Sequence, residues 1–149
     1  MKLSDNECVQ LNQALFSLTH AYEARLAREK TQGPNSLTVY DCAVLMVLGQ
    51  FTPINSRLLA QRMQVTPSTI SVYIRRLSKK GLVRMERAEN DRRNWWLHLT
   101  SPGEKIYRTI LAGTASYTRD FVSALDTDEQ RVLHRLLLKV SHSLGFAWQ

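Results

Sequence analysis

The residues TPSTISVYIRRLSKKGL, Thr66 to Leu82, open on a hydroxyl side chain followed at once by proline. A threonine hydroxyl can accept from an unpaired backbone amide at a helix start, and proline suits the first helical position, so the pair predicts an N-terminus here. Ile70, Ile74 and Leu77 recur at spacings of four and three and face inward. The opposite face carries Ser68, Thr69, Ser71, Val72, Arg75, Arg76 and Lys79 before Gly81 ends the helix. Just upstream, Asn55 is a plausible cap for a short helix with Leu58, Leu59 and Met63 on its apolar face, and Gln64 and Val65 make the turn between the two. Two helices joined by a tight turn, the second with small hydroxyls early and cations late, suit a reader of the DNA major groove. Short side chains let the helix approach base edges, and arginines reach phosphates or guanine.

Two strands are expected next, Leu82 to Arg87 and Trp95 to Thr100, with the polar run AENDRRN, residues 88–94, as a projecting tip. In the second strand Trp95, Leu97 and Leu99 alternate with Trp96 and His98, the period of a ribbon lying on a helical core. Arg87 closes the first strand, and the tip offers Arg92 and Arg93 beside Asp91. An arginine on a narrow loop is suited to a minor groove, whose negative potential favours cations. Residues 55–100 hold ten lysines and arginines against three acids, a net +7, which is also the net charge of the whole chain. The remaining residues therefore balance, ten basic against ten acidic, and the cationic excess forms one focused field for a polyanion.

On either side the sequence reads as helix. Leu11, Leu15, Leu18, Tyr22 and Leu26 make a stripe from about Asp5 to Lys30, broken by Gly33 and Pro34. Thr38, with Asp41 three residues on, starts a helix apolar on most sides (Val39, Ala43, Val44, Met46, Val47, Leu48) that Gly49 and Pro53 close. Ser101, Pro102 and Glu104 start another, striped with Ile106, Tyr107, Ile110, Tyr117, Phe121 and Leu125. Thr127 with Glu129 and Gln130 reads as the capping box of a last helix carrying Val132, Leu133, Leu136, Leu137, Val140 and Leu144. The apolar faces of the first and last two helices need cover, and a second copy of the chain supplies it economically.

A chain of 149 residues with 44% hydrophobic content supports one core, hence a single domain over 1–149. Within it, 37–100 is the expected DNA-binding region, and 5–32 with 101–146 the helical dimerisation region. The longest apolar run, Ala43 to Leu48, is far too short for a membrane span, and the N-terminus lacks the character of a signal peptide, so a cytoplasmic protein is expected. Cys8 and Cys42 are read as inert reduced thiols, and His20, His98, His134 and His142 lack metal-site spacing; no metal or cofactor is expected. An enzyme would need a nucleophile elbow or a phosphate-cradling loop, and neither is present among only six glycines.

The segment DRRNWWLHLT, Asp91 to Thr100, fits the D-x-R-x-x-x-L-x-L-T signature and so resembles the MarR family of winged-helix transcriptional regulators. Leu37-Thr38, Leu59-Ala60, Pro67 to Ser71, and Leu77 to Leu82 fit the same pattern in order. The resemblance implies a mainly α fold with a small β-wing: a winged helix-turn-helix module plus a dimerisation region of the first and last two helices. It further implies a homodimer on double-stranded DNA, with recognition helices in successive major grooves and wings in the flanking minor grooves. Arg93 matches the wing-tip arginine and Asp91 its acidic partner. A repressor released by a small lipophilic or aromatic effector, bound beside Tyr22 and Tyr40, is the functional expectation. Val72 stands where the family often has arginine, and Arg75 where it often has aspartate. The rival reading is a winged helix that serves only protein interaction, against which the concentrated +7 argues.

Overall fold

The computed structural model describes residues 2–28, 37–87 and 95–145. The chain divides into two compact units, Met1–Val39 and Tyr40–Gln149. In the first, α1 runs from Asp5 to Arg28, with Ser4 and Glu7 exchanging hydrogen bonds at its start. Leu11, Leu15, Leu18 and Tyr22 lie on it at the expected helical spacing, all at least 40% exposed. The expected break at Gly33 and Pro34 lies outside the described residues.

The second unit is built around α2 (Val39–Phe51), which buries Val44, Leu45, Val47 and Leu48 completely or nearly so. A helix apolar on most sides can only be central, and α2 is. After it come β1 (Ile54–Asn55), α3 (Ser56–Met63), α4 (Pro67–Lys79), β2 (Val83–Arg87), β3 (Trp95–Leu99), α5 (Ser101–Phe121) and α6 (Thr127–Ser143). Leu59 and Ala60 of α3, Ile70, Ile74 and Leu77 of α4, and Val83, Leu97 and Leu99 of the hairpin join it in the core, with Ile54, Leu82 and Tyr117. The strands form an antiparallel sheet in the order β1-β3-β2, with Val83 opposite Leu99, Met85 opposite Leu97, and Ile54 also opposite Leu97. The third strand, β1, is two residues long and was not expected from the sequence. No described helix is long and apolar enough to cross a membrane.

Capping corrects two expected starts by one residue each. The cap of α5 is Thr100, not Ser101: its hydroxyl accepts from the Gly103 amide at 3.1 Å. The cap of α6 is Asp126, not Thr127. Its carboxylate accepts from the Asp128 and Glu129 amides at 2.8 and 2.9 Å, while Glu129 accepts from the Asp126 amide at 2.9 Å. Gln130, which would have completed a box with Thr127, instead donates to the carbonyls of Val122 and Leu125 and closes the end of α5. Strand β3 also ends at Leu99, one residue before the expected Thr100, because Thr100 has become a cap.

Candidate nucleic-acid interface

Helix α4 begins as its sequence dictates. Thr66 is the cap in extended conformation, its hydroxyl accepting from the Thr69 amide at 3.2 Å, and Pro67 occupies the first turn. The Thr66 hydroxyl also lies 2.8 Å from that of Ser68 and 2.9 Å from that of Thr69, so three short polar side chains cluster at the helix start. Ser71 donates to the Pro67 carbonyl at 2.9 Å. Ahead of α4 the turn is made by Gln64, a non-glycine residue with φ of 50°. Its amide hydrogen-bonds the Gln61 carbonyl, and its side chain donates to the Leu144 carbonyl at 2.8 Å, tying the turn to the end of α6. Asn55 caps α3 as expected, accepting from the Leu58 amide.

Burial of Ile70, Ile74 and Leu77 turns the opposite side of α4 outward, and Ser68, Ser71, Val72, Arg75 and Lys79 are all exposed on it. Thr69 is half-buried at the margin. Arg75 and Lys79 engage no acid among the described residues, so their charges face solvent. This makes a continuous stripe, hydroxyls first and cations last, on one helix. Arg76 differs from its neighbours: its Nε and Nη2 donate to Oδ1 of Asp41 at 2.9 and 2.6 Å. Asp41 is fully buried in α2. In the sequence Arg76 reads as one of the outward cations and Asp41 as an acid at a helix start, with no local signal that joins them.

Arg87 is exposed at the end of β2, its guanidinium 5.7 Å from the centroid of the Trp95 ring across the ladder. Trp95 is 44% exposed while Leu97 and Leu99 are buried, so the inward side of β3 loses its cover toward the tip. On the other side, Arg84 pairs with Glu86 at 2.7 Å, and His98 stands 3.5 Å from the same carboxylate. The Arg84 hydrogen bond, its charge and then that of His98 hold the Glu86 carboxyl below the usual carboxylate range. Asp91, Arg92 and Arg93 lie outside the described residues. Of the expected effector residues, Tyr40 is exposed and stacks on Tyr73 of α4, centroids 5.8 Å apart, while Tyr22 lies on α1 in the other unit. Cys42 is half-buried, and burial followed by the adjacent Asp41 charge pushes its thiol up, away from the reactive thiolate.

Comparison with known proteins agrees with this geometry. The family model described as the MarR family matches residues 37–95, from the start of α2 into the hairpin. The HTH-type transcriptional regulator MgrA of Staphylococcus aureus is 31% identical over 133 residues, which cover 88% of this chain and 89% of that protein. Among solved structures, Streptococcus pneumoniae FabT in complex with DNA superposes with a TM-score of 0.79 at 20% identity, covering 91% of this chain and 95% of that one. The PcaV regulator of Streptomyces coelicolor, in complex with its natural ligand, gives 0.77 at 24% identity, with 97% and 99% covered.

Proposed function

The chain belongs to the MarR family and is a DNA-binding transcriptional regulator, and from that premise we propose that it binds a pseudo-palindromic operator as a homodimer, by the outward stripe of α4. The observation that carries this is the run Ser68, Ser71, Val72, Arg75, Lys79, exposed on a helix whose other side is buried in the core. In this reading Ser68, Thr69, Ser71 and Val72 meet base edges, whereas Arg75 and Lys79 meet phosphates. Arg87 and the tip residues Arg92 and Arg93, with Asp91 as orienting acid, approach the minor groove. The module spans 37–100, and 5–32 with 101–146 form the dimerisation region of a single domain. FabT is known bound to DNA and PcaV bound to a ligand. By the same logic this protein is a repressor released by a lipophilic or aromatic acid, acting through its different affinities for two states of the dimer.

The test is selection of bound duplexes from a random pool, followed by salt titration on the selected site. Inverted half-sites centred about 10 base pairs apart are expected, one per recognition helix. Arg93→Ala should weaken selected and unrelated duplexes alike and flatten the slope of log affinity against log salt by about 0.9 for each phosphate the variant no longer neutralises. A selected pool without an inverted repeat would count against the pseudo-palindromic operator, and a protein whose binding to duplex DNA ignores salt would return the chain to the protein-interaction reading.

A further inference from the structure

We propose that Arg76 is a positioning residue for DNA recognition and not a DNA contact: clamped on the buried Asp41, it sets the angle at which α2 presents α4, so that operator specificity depends on a carboxylate that never reaches the groove. This rests on the reading that α4 enters the major groove.

The apolar contacts of Ile70, Ile74 and Leu77 hold α4 against the core, but such contacts are non-directional and fix its rotation weakly. The Asp41–Arg76 pair supplies direction. Two donors of one rigid guanidinium, Nε at 2.9 Å and Nη2 at 2.6 Å, converge on a single carboxylate oxygen, which fixes both the separation and the azimuth of the side chain. Next to it, Tyr40 of α2 stacks on Tyr73 of α4 with ring planes 9° apart, and the Arg76 guanidinium lies 5.3 Å from the Tyr73 centroid. Adjacent residues of α2 thus grip α4 at two points, 73 and 76, which lie on the same face of that helix. A two-point junction resists rolling where one point would not.

Electrostatics keep Arg76 in place. Asp41 is 0% exposed, whereas the Arg76 side chain is 37% exposed. Drawing the guanidinium away to a phosphate would take the clamp from a buried carboxylate, a penalty that Arg75, one residue earlier and facing solvent, does not carry.

The experiment compares full-length wild type with Asp41→Asn, Arg76→Gln, the double variant and Arg76→Lys, on a selected operator and an unrelated duplex across a salt series, with Ser71→Ala and Arg75→Ala as groove controls. Each single neutral substitution is expected to lower the ratio of specific to unrelated affinity about tenfold or more, and the double variant should be no worse than either single one, because both remove the same junction. The log–log salt slope should not change. Arg76→Lys keeps the charge but replaces the rigid two-nitrogen fork by one nitrogen on a flexible stem, so it should lose specificity as well. A slope flattened by about 0.9 in Arg76→Gln, with both duplexes weakened equally, would make Arg76 a phosphate contact and overturn the proposal. If Asp41→Asn does not fold, Arg76→Lys decides: an unchanged ratio overturns the positioning role, and a lowered ratio at unchanged slope supports it. An unchanged ratio in Asp41→Asn beside an altered motif in Ser71→Ala overturns the clamp alone. Control variants that leave motif and affinity untouched would remove α4 from the groove and the proposal with it.

Discussion

Gly103 shows how tightly single positions are set where the hairpin meets α5. The residue is buried, and a Cβ built on it would collide with the Leu82 carbonyl oxygen, backbone that cannot rotate aside. That carbonyl also accepts from the Thr100 amide, so the contact sits at the join between wing and helix. Gly103→Ala should therefore cost about 1–3 kcal/mol, the usual range for forcing extra atoms into a packed site, and lower the thermal midpoint by several degrees. An unchanged midpoint in a thermal melt would mean that the junction relaxes freely. Nothing in the sequence marked Gly103 as crowded, since it sits between a cap, a proline and a good helix former. The same limit hid the Asp41–Arg76 pair. Its partners lie 35 residues apart, and each had an adequate local role, an acid at a helix start and a cation on an outward face. Core positions were more legible, because Ile70, Ile74 and Leu77 repeat at a spacing that only a helix explains.

The elements themselves were legible because each has its own punctuation: Asn55 before α3, Thr66-Pro67 before α4 and Gly81, with φ of 72°, after it. The starts of α5 and α6 slipped by one residue because two adjacent side chains could each have capped. At α6 both Asp126 with Glu129 and Thr127 with Gln130 have box spacing, and the first wins because Gln130 is taken up by the carbonyls at the end of α5. That choice can be tested. Asp126→Ala removes a carboxylate that accepts from two amides and should cost about 1 kcal/mol, whereas Thr127→Ala should cost little. Equal midpoints for the two variants in urea denaturation would contradict the observed cap. Strand β1 escaped notice because two residues are too few for a period, and its pairing to β3 is visible only in three dimensions.

At the scale of the whole molecule, one chain leaves too much apolar surface in water. Leu11, Leu15 and Leu18 on α1, Val132, Leu136, Leu137 and Val140 on α6, and Leu144 at its C-cap are each between 44% and 63% exposed, and no residue of α6 is buried. Single exposed leucines are ordinary, but stripes along two helices exceed what monomeric proteins usually show. Covering the open half of such a side chain is worth roughly 1 kcal/mol, so two copies with eight each would gain on the order of 16 kcal/mol against an association cost of about 4–15. The balance is favourable across that range, and at the lower association costs it exceeds the roughly 8 kcal/mol of a micromolar complex. Sedimentation equilibrium should accordingly find dimers throughout the micromolar range. Leu137→Glu, which places a charge on the α6 stripe, should shift the population toward monomer. Because two linked recognition helices bind far better than one, the same substitution should weaken operator binding by about 100-fold or more while leaving the winged module folded. Retained helix content in circular dichroism would separate that loss from unfolding. A wild type that sediments as a folded monomer at micromolar concentration would sink the dimer, and with it the reason for expecting inverted half-sites.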